Sequence, residues 1–173
     1  MIILLYVLAV AAANVLTATT TPLFFLGFVI TWGTFFAGAT FVLRDLVQRE
    51  HGRGVAYAAI GAGLAVSAAF ALIYRDALPI AVGSLVAFAV SESLDTEVFS
   101  RLDRPFPHRV AISGLVGGLV DTALFVVIAL SPLWSGILTW GEVPRAILGV
   151  YLVKAALQLL GAALLRREEK VAA

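Results

Sequence analysis

Six continuous apolar runs divide the chain, at about residues 2–20, 22–43, 55–73, 78–100, 109–130 and 144–165. None shows the strict alternation of apolar and polar residues that a half-buried strand requires, so the pattern predicts helices rather than a barrel. A hydrocarbon core of about 30 Å needs roughly 20 helical residues, and all six runs reach that length. The fourth opens as an apolar stretch from Ala77 to Val90, then acquires a polar stripe while keeping Leu94, Val98, Phe99 and Leu102. The connections alternate in character. Thr19-Thr20-Thr21-Pro22 is short, and Tyr74-Arg75-Asp76-Ala77 is a tight turn with Pro79 near a helix start. Segments 44–54 and 101–108 are basic, and 131–143 carries Pro132, Trp134 and Trp140, residues suited to an interface.

Composition removes the soluble alternatives. Apolar residues make up 61% of the 173 positions, charged residues 13%, and the mean hydropathy is +1.02. Soluble domains sit near 45–50% apolar and about 25% charged. The expectation is an all-α integral membrane protein. It is a single domain over residues 1–173, a compact bundle of six transmembrane helices. Cysteine is absent, which excludes disulfides, thiol nucleophiles and thiolate metal sites.

The distribution of charge orients the bundle. Arg44, Arg49 and Arg53 follow the second run, Arg101, Arg104 and Arg109 the fourth, and Arg166, Arg167 and Lys170 the sixth. The other side holds only Arg75 and Arg145. The positive-inside rule then places both termini in the cytoplasm, in a multi-pass protein of the cytoplasmic (inner) membrane. The first run lacks a basic leading region and is long for a signal peptide, so a retained span is expected. Arg44 and Asp45 read as part of a snorkelling collar at the membrane edge.

Few polar residues interrupt the apolar runs: Asn14, Glu92, Asp95, Asp121 and Lys154. A charge at the bilayer centre costs about 2.5–3.5 kcal/mol on insertion scales, so such residues face the bundle interior and mark a site. Helical rise puts Asp121 about 18 Å from the cytoplasmic start of its span and Lys154 about 15 Å from the outer start of its own, nearly one level. Asn14 lies about 20 Å up the first span and Glu92 about 21 Å down the fourth. Asn14, Asp121 and Lys154 are therefore expected to ring one polar pocket, with Glu92 and Asp95 as its floor. Trp32 is a ring able to stack on a planar ligand. Two readings stand for each. Asp121 and Lys154 form a structural ion pair or bind ligand, Asn14 ties helices or binds ligand, and Glu92 and Asp95 are solvated at the inner interface or bind ligand. The small-residue pairs Ala9/Ala13 and Gly114/Gly118 permit close helix approach.

These residues resemble the putative vitamin uptake transporter family, whose members include transporters of queuosine precursors. The resemblance rests on several pieces in order: Ala13-Asn14-Val15-Leu16-Thr17, Phe41-Val42-Leu43-Arg44-Asp45-Leu46 and Asp95-Thr96-Glu97-Val98-Phe99-Ser100-Arg101-Leu102. Ser113-Gly114 with Gly118-Leu119-Val120-Asp121-Thr122-Ala123-Leu124-Phe125, and Tyr151-Leu152-Val153-Lys154, complete it. Leu43 stands where the family often has Phe. The resemblance implies a fold similar to the substrate-binding subunits of energy-coupling-factor importers and a purine-like small-molecule substrate of the 7-deazaguanine class, such as preQ0 or preQ1.

No cofactor and no nucleic-acid partner is expected. His51 and His108 lie in separate hydrophilic segments without a ligand set, and no nucleophile–base cluster is visible, so the chain is not expected to be an enzyme. No ATPase motif is present, so an ATP drive requires separate energising subunits, for which Ala9 and Ala13 offer a docking face. The alternative drive is an ion gradient acting on an intramembrane carboxylate.

Overall fold

The computed structural model describes residues 1–21, 23–25, 28–73 and 78–172. The expected turn at 74–77, and with it Arg75, lies outside them. The elements run α1 (Ile2–Thr19), β1 (Leu23–Phe25), β2 (Phe28–Ile30), α2 (Gly33–His51), α3 (Arg53–Ile73), α4 (Leu78–Arg101), α5 (Phe106–Phe125) and α6 (Val143–Ala172). A π-helical turn at Val126–Leu130 continues α5.

Among the described residues, four helices are long and apolar enough to cross a membrane: Arg53–Leu72, Leu78–Arg101, Phe106–Leu130 and Val143–Arg167. They sit where four of the six apolar runs place them. The chain is thus a predominantly helical, multi-pass membrane protein. The apolar stretch Ile2–Thr17 of α1 is shorter. At its end the Thr19 and Thr20 hydroxyls donate to the Val15 and Leu16 carbonyls, at 2.8 and 2.5 Å, and Leu16 also accepts the Thr20 backbone N–H at 3.1 Å.

The second run departs from expectation. Instead of a helix over 22–43, the chain forms an antiparallel pair of short strands, with Leu23 opposite Ile30 and Phe25 opposite Phe28. Aromatic and β-branched residues fill this stretch and favour extended backbone. The helix therefore starts at Gly33, eleven residues later than expected, and continues to His51. That displacement is about 16 Å along the axis. It draws Arg44 and Asp45, expected in a connection at the membrane edge, into a helix and into the interior. Gly52 then stops α2 with φ of +84°, a conformation glycine adopts without steric cost, and donates its N–H to the Gln48 carbonyl at 2.9 Å.

Helix contacts are close where glycine allows them. α4 packs most extensively on α5, and α1 on α2. A Cβ on Gly117 of α5 would lie 2.9 Å from the Asp95 Cβ, and one on Gly83 of α4 2.6 Å from the Ala129 Cβ. A Cβ on Gly33 would collide with the Ala13 carbonyl and the Thr17 hydroxyl. Ala9 is itself buried. Ala13 is half-buried, and its carbonyl lies where Gly33 seats α2 on α1. The loop before α6 is tied by Glu142, whose carboxylate accepts the Thr139 N–H at 2.8 Å and its hydroxyl at 2.7 Å. Those two donors hold its pKa below the usual glutamate range.

Candidate functional site

Phe41, Arg44, Asp45 and Gln48 recur on α2 at helical spacing, and all are buried. Ser91, Glu92, Asp95, Thr96 and Phe99 do the same on α4. The two faces meet, and Arg44 stands at their centre. Its guanidinium approaches Asp45 at 3.1 Å and Glu92 at 3.3 Å and pairs with Asp95. It also donates to the Thr96 hydroxyl at 2.9 Å and the Gln48 side-chain amide oxygen at 3.5 Å. All four charged side chains are 0% exposed. Ser113 of α5 donates to Asp45 at 3.4 Å, and Gly117 leaves the room in which Asp95 sits.

The charges in this cluster do not balance. Three carboxylates surround one guanidinium, so full ionisation leaves an excess of two negative charges in a site without solvent. Buried ions persist only when paired and hydrogen-bonded, and an excess of this size must be offset. Protons, a cation or a ligand rich in hydrogen-bond donors would each do so. The carboxylates are also short of aligned donors. Thr40 stands beside Glu92, and Ser113 and Arg44 beside Asp95, but among the described residues none of these donors is well aligned on a Glu92 or Asp95 oxygen. The Tyr6 hydroxyl of α1, 0% exposed, lies within electrostatic reach of Arg44, Glu92 and Asp95 and has no hydrogen-bond partner among the described residues. No three of the described His, Asp and Glu residues converge as metal ligands.

A second charged site lies between α5 and α6. Lys154 pairs with Asp121, their side chains 7% and 15% exposed. Ser91 donates to the other Asp121 oxygen at 3.3 Å. Because Ser91 precedes Glu92, α4 connects the two sites through adjacent residues. The levels inferred from helical rise are therefore correct for Asp121 and Lys154. The neighbouring Gln158 donates to the Val110 carbonyl at 2.6 Å, and its own amide oxygen has no partner among the described residues.

The remaining expected residues lie elsewhere. Asn14 donates to the Val10 carbonyl and to the Ser67 hydroxyl of α3, both at 2.9 Å, so its amide ties α1 to α3 instead of reaching Asp121 and Lys154. Trp32 is 45% exposed at the start of α2 and packs on Phe35 at 5.9 Å between ring centroids. It stands about 18 Å along that helix from Arg44. Glu92 and Asp95 do come together, but with Arg44 and Asp45 in the interior, not solvated at an interface. Sequence reading placed Arg44 and Asp45 at the membrane edge and passed over Tyr6. The signal for Arg44 was an isolated Arg-Asp pair at the end of an apolar run, and only the later helix start turns it inward. Tyr6 carries no sequence signal beyond being a hydroxyl among the apolar residues that open the chain.

Residues 66–166, more than half of the chain, match the model of the family described as Putative vitamin uptake transporter. The match spans Glu92, Asp95, Asp121 and Lys154. No curated protein and no solved structure matches the chain.

Proposed function

The chain belongs to the Putative vitamin uptake transporter family, and from that premise we propose that it imports a 7-deazaguanine queuosine precursor, or a similar nucleobase, across the cytoplasmic membrane. In this reading all six helices span the inner membrane with both termini in the cytoplasm, α2 being tolerated there because Arg44 and Asp45 face the interior. The observation that carries the proposal is the excess of buried carboxylate around Arg44. A guanine-like edge presents N1–H and an exocyclic amine as adjacent donors, and one carboxylate accepts both. Glu92 and Asp95 are the acceptors. Lys154, held by Asp121, addresses a carbonyl oxygen from the neighbouring site. Exclusion of water strengthens each of these bonds. Asn14 serves the bundle's packing, and Trp32 stands outside the ligand's first contacts.

The test is uptake in cells unable to synthesise the precursor, with tRNA queuosine as readout. Cells are supplied with low preQ0, preQ1 or queuine, with and without this chain. Rescue by one of these compounds, abolished by Glu92→Gln, is the expected result. Absence of rescue with the protein present in the membrane overturns the substrate assignment.

A further inference from the structure

Of the three carboxylates at Arg44, the reading above gives Glu92 and Asp95 to the ligand and leaves Asp45 without a task. Asp45 and Asp95 draw on the same two donors. One guanidinium nitrogen, Arg44 Nη2, lies 3.1 Å from Asp45 Oδ1 and also pairs with Asp95. The Ser113 hydroxyl donates to Asp45 Oδ2 at 3.4 Å and stands beside Asp95. A serine hydroxyl has one hydrogen, so it serves one of the two at a time. Glu92 is approached by a different nitrogen, Arg44 Nε, at 3.3 Å. Two carboxylates that share their donors away from solvent repel each other, and a proton on one of them relieves that repulsion.

The other ways to offset the surplus fit less well. A neutral nucleobase solvates the excess charge without cancelling it. A metal cation would have to displace the guanidinium that already lies among the three carboxylates, and no three of the described His, Asp and Glu residues converge as ligands. A proton needs no room. A second observation points the same way. The Tyr6 hydroxyl of α1, 0% exposed and without a hydrogen-bond partner among the described residues, faces the cluster and can donate to an ionised carboxylate or accept from a protonated one. Asp121 of α5, paired with Lys154 of α6, is the next acid outward and is reached from Glu92 through Ser91. On α3, Arg53 and Tyr57 are engaged with Glu97.

We propose that Asp45 carries a proton in the folded protein and that this proton crosses the membrane together with the ligand. The coupling rests on the reading above, in which the cluster is the ligand site. Asp45 takes the proton, Glu92 and Asp95 stay ionised to accept the ligand's donors, and the excess falls from two negative charges to one. The ligand's donors and the Tyr6 hydroxyl face the charge that remains. Proton and ligand bind from the outer side and leave together into the cytoplasm, so a pH gradient drives accumulation. The Asp45 O–H bond is the only bond made and broken.

The experiment uses the full-length protein in lipid, in two arms. The first needs no ligand. Infrared spectra at neutral pH are read for the carbonyl stretch of a protonated carboxyl group, in protein carrying heavy carbon on either its aspartate or its glutamate carboxyls. A band that shifts with the aspartate label and disappears in Asp45→Asn is the expected result. In Asp45→Glu, which keeps the acid, the band should follow the glutamate label, and this covers the case in which Asp45→Asn fails to fold. Absence of the band in wild type, a wild-type shift with the glutamate label alone, or an unchanged band in both variants overturns the proposal. The second arm uses proteoliposomes with the membrane potential clamped and the uncharged preQ0 as probe. A pH step of about one unit, alkaline inside, is expected to accumulate preQ0 about tenfold, one proton for each molecule. Asp45→Asn is expected to lose that accumulation, and accumulation at the wild-type level overturns the coupling. Exchange of labelled for unlabelled preQ0 at equal pH reports carriage alone. Exchange in wild type without accumulation on the pH step overturns the coupling and leaves the proposed function standing. Absence of exchange overturns the proposed function and the coupling with it, while the infrared arm still decides whether Asp45 holds a proton.

Discussion

The two buried charged sites differ in one respect that decides what each can do. Asp121 and Lys154 match one negative charge with one positive, near the surface of the bundle core. Arg44 faces three carboxylates with none of the four side chains exposed. A balanced pair is complete in itself and suffices to join α5 to α6. The unbalanced cluster is not, and its surplus acceptors invite a donor from outside. In the proposed reading the surplus acceptors of the cluster take the ligand's donors, while the balanced pair holds Lys154 where it can address a carbonyl oxygen.

The sharpest way to break the comparison is to remove the hub. Arg44→Gln leaves three carboxylates with no cation, and stripping one partner from a buried ion cluster costs about 3–5 kcal/mol. The expected outcome is little folded protein in the membrane, read by monodispersity in detergent and thermal midpoint. A variant of wild-type stability would show that the carboxylates are already neutral. Next in size is the balanced pair. Asp121→Asn strands Lys154 and is expected to cost about 2 kcal/mol, the buried-pair value reduced for partial exposure. The charge swap Asp121→Lys with Lys154→Asp should restore most of that stability without restoring uptake. Recovery of both would make the pair purely structural.

Glu92→Gln acts in the opposite sense to Arg44→Gln. It removes one surplus negative charge, so the thermal midpoint should hold or rise, while uptake falls about tenfold or more with the loss of a charged acceptor. Uptake at the wild-type rate would remove Glu92 from the site. The smallest effect belongs to a residue outside both clusters. Asn14→Ala loses the bond to Ser67 and should cost about 1 kcal/mol, with uptake retained. Loss of uptake at near-normal stability would return Asn14 to the ligand.

Much of the architecture was legible in the sequence. α1, α3, α4, α5 and α6 lie where the apolar runs put them, because a helix in lipid satisfies its own backbone and needs only length and apolarity to be recognised. The pairing of Asp121 with Lys154 followed from rise per residue alone, since both sit in uninterrupted spans of known start. The register of α2 did not follow. Its apolar run reads as one helical span, and hydropathy does not register the aromatic and β-branched bias of the strands at 23–25 and 28–30.

That one element decided the site. Composition, periodicity and the placement of charge determine a multi-pass helical bundle with acids inside it, because burial of apolar surface depends on sequence pattern and little else. Which cation the acids meet depends on where α2 begins, and that is set by tertiary contacts. Gly33 seats the helix against Ala13 and Thr17 of α1, and Gly117 admits Asp95 beside α5. A shift of about 16 Å turns Arg44 from a collar residue into the centre of the cluster, and a distance of that kind is fixed only when helices pack.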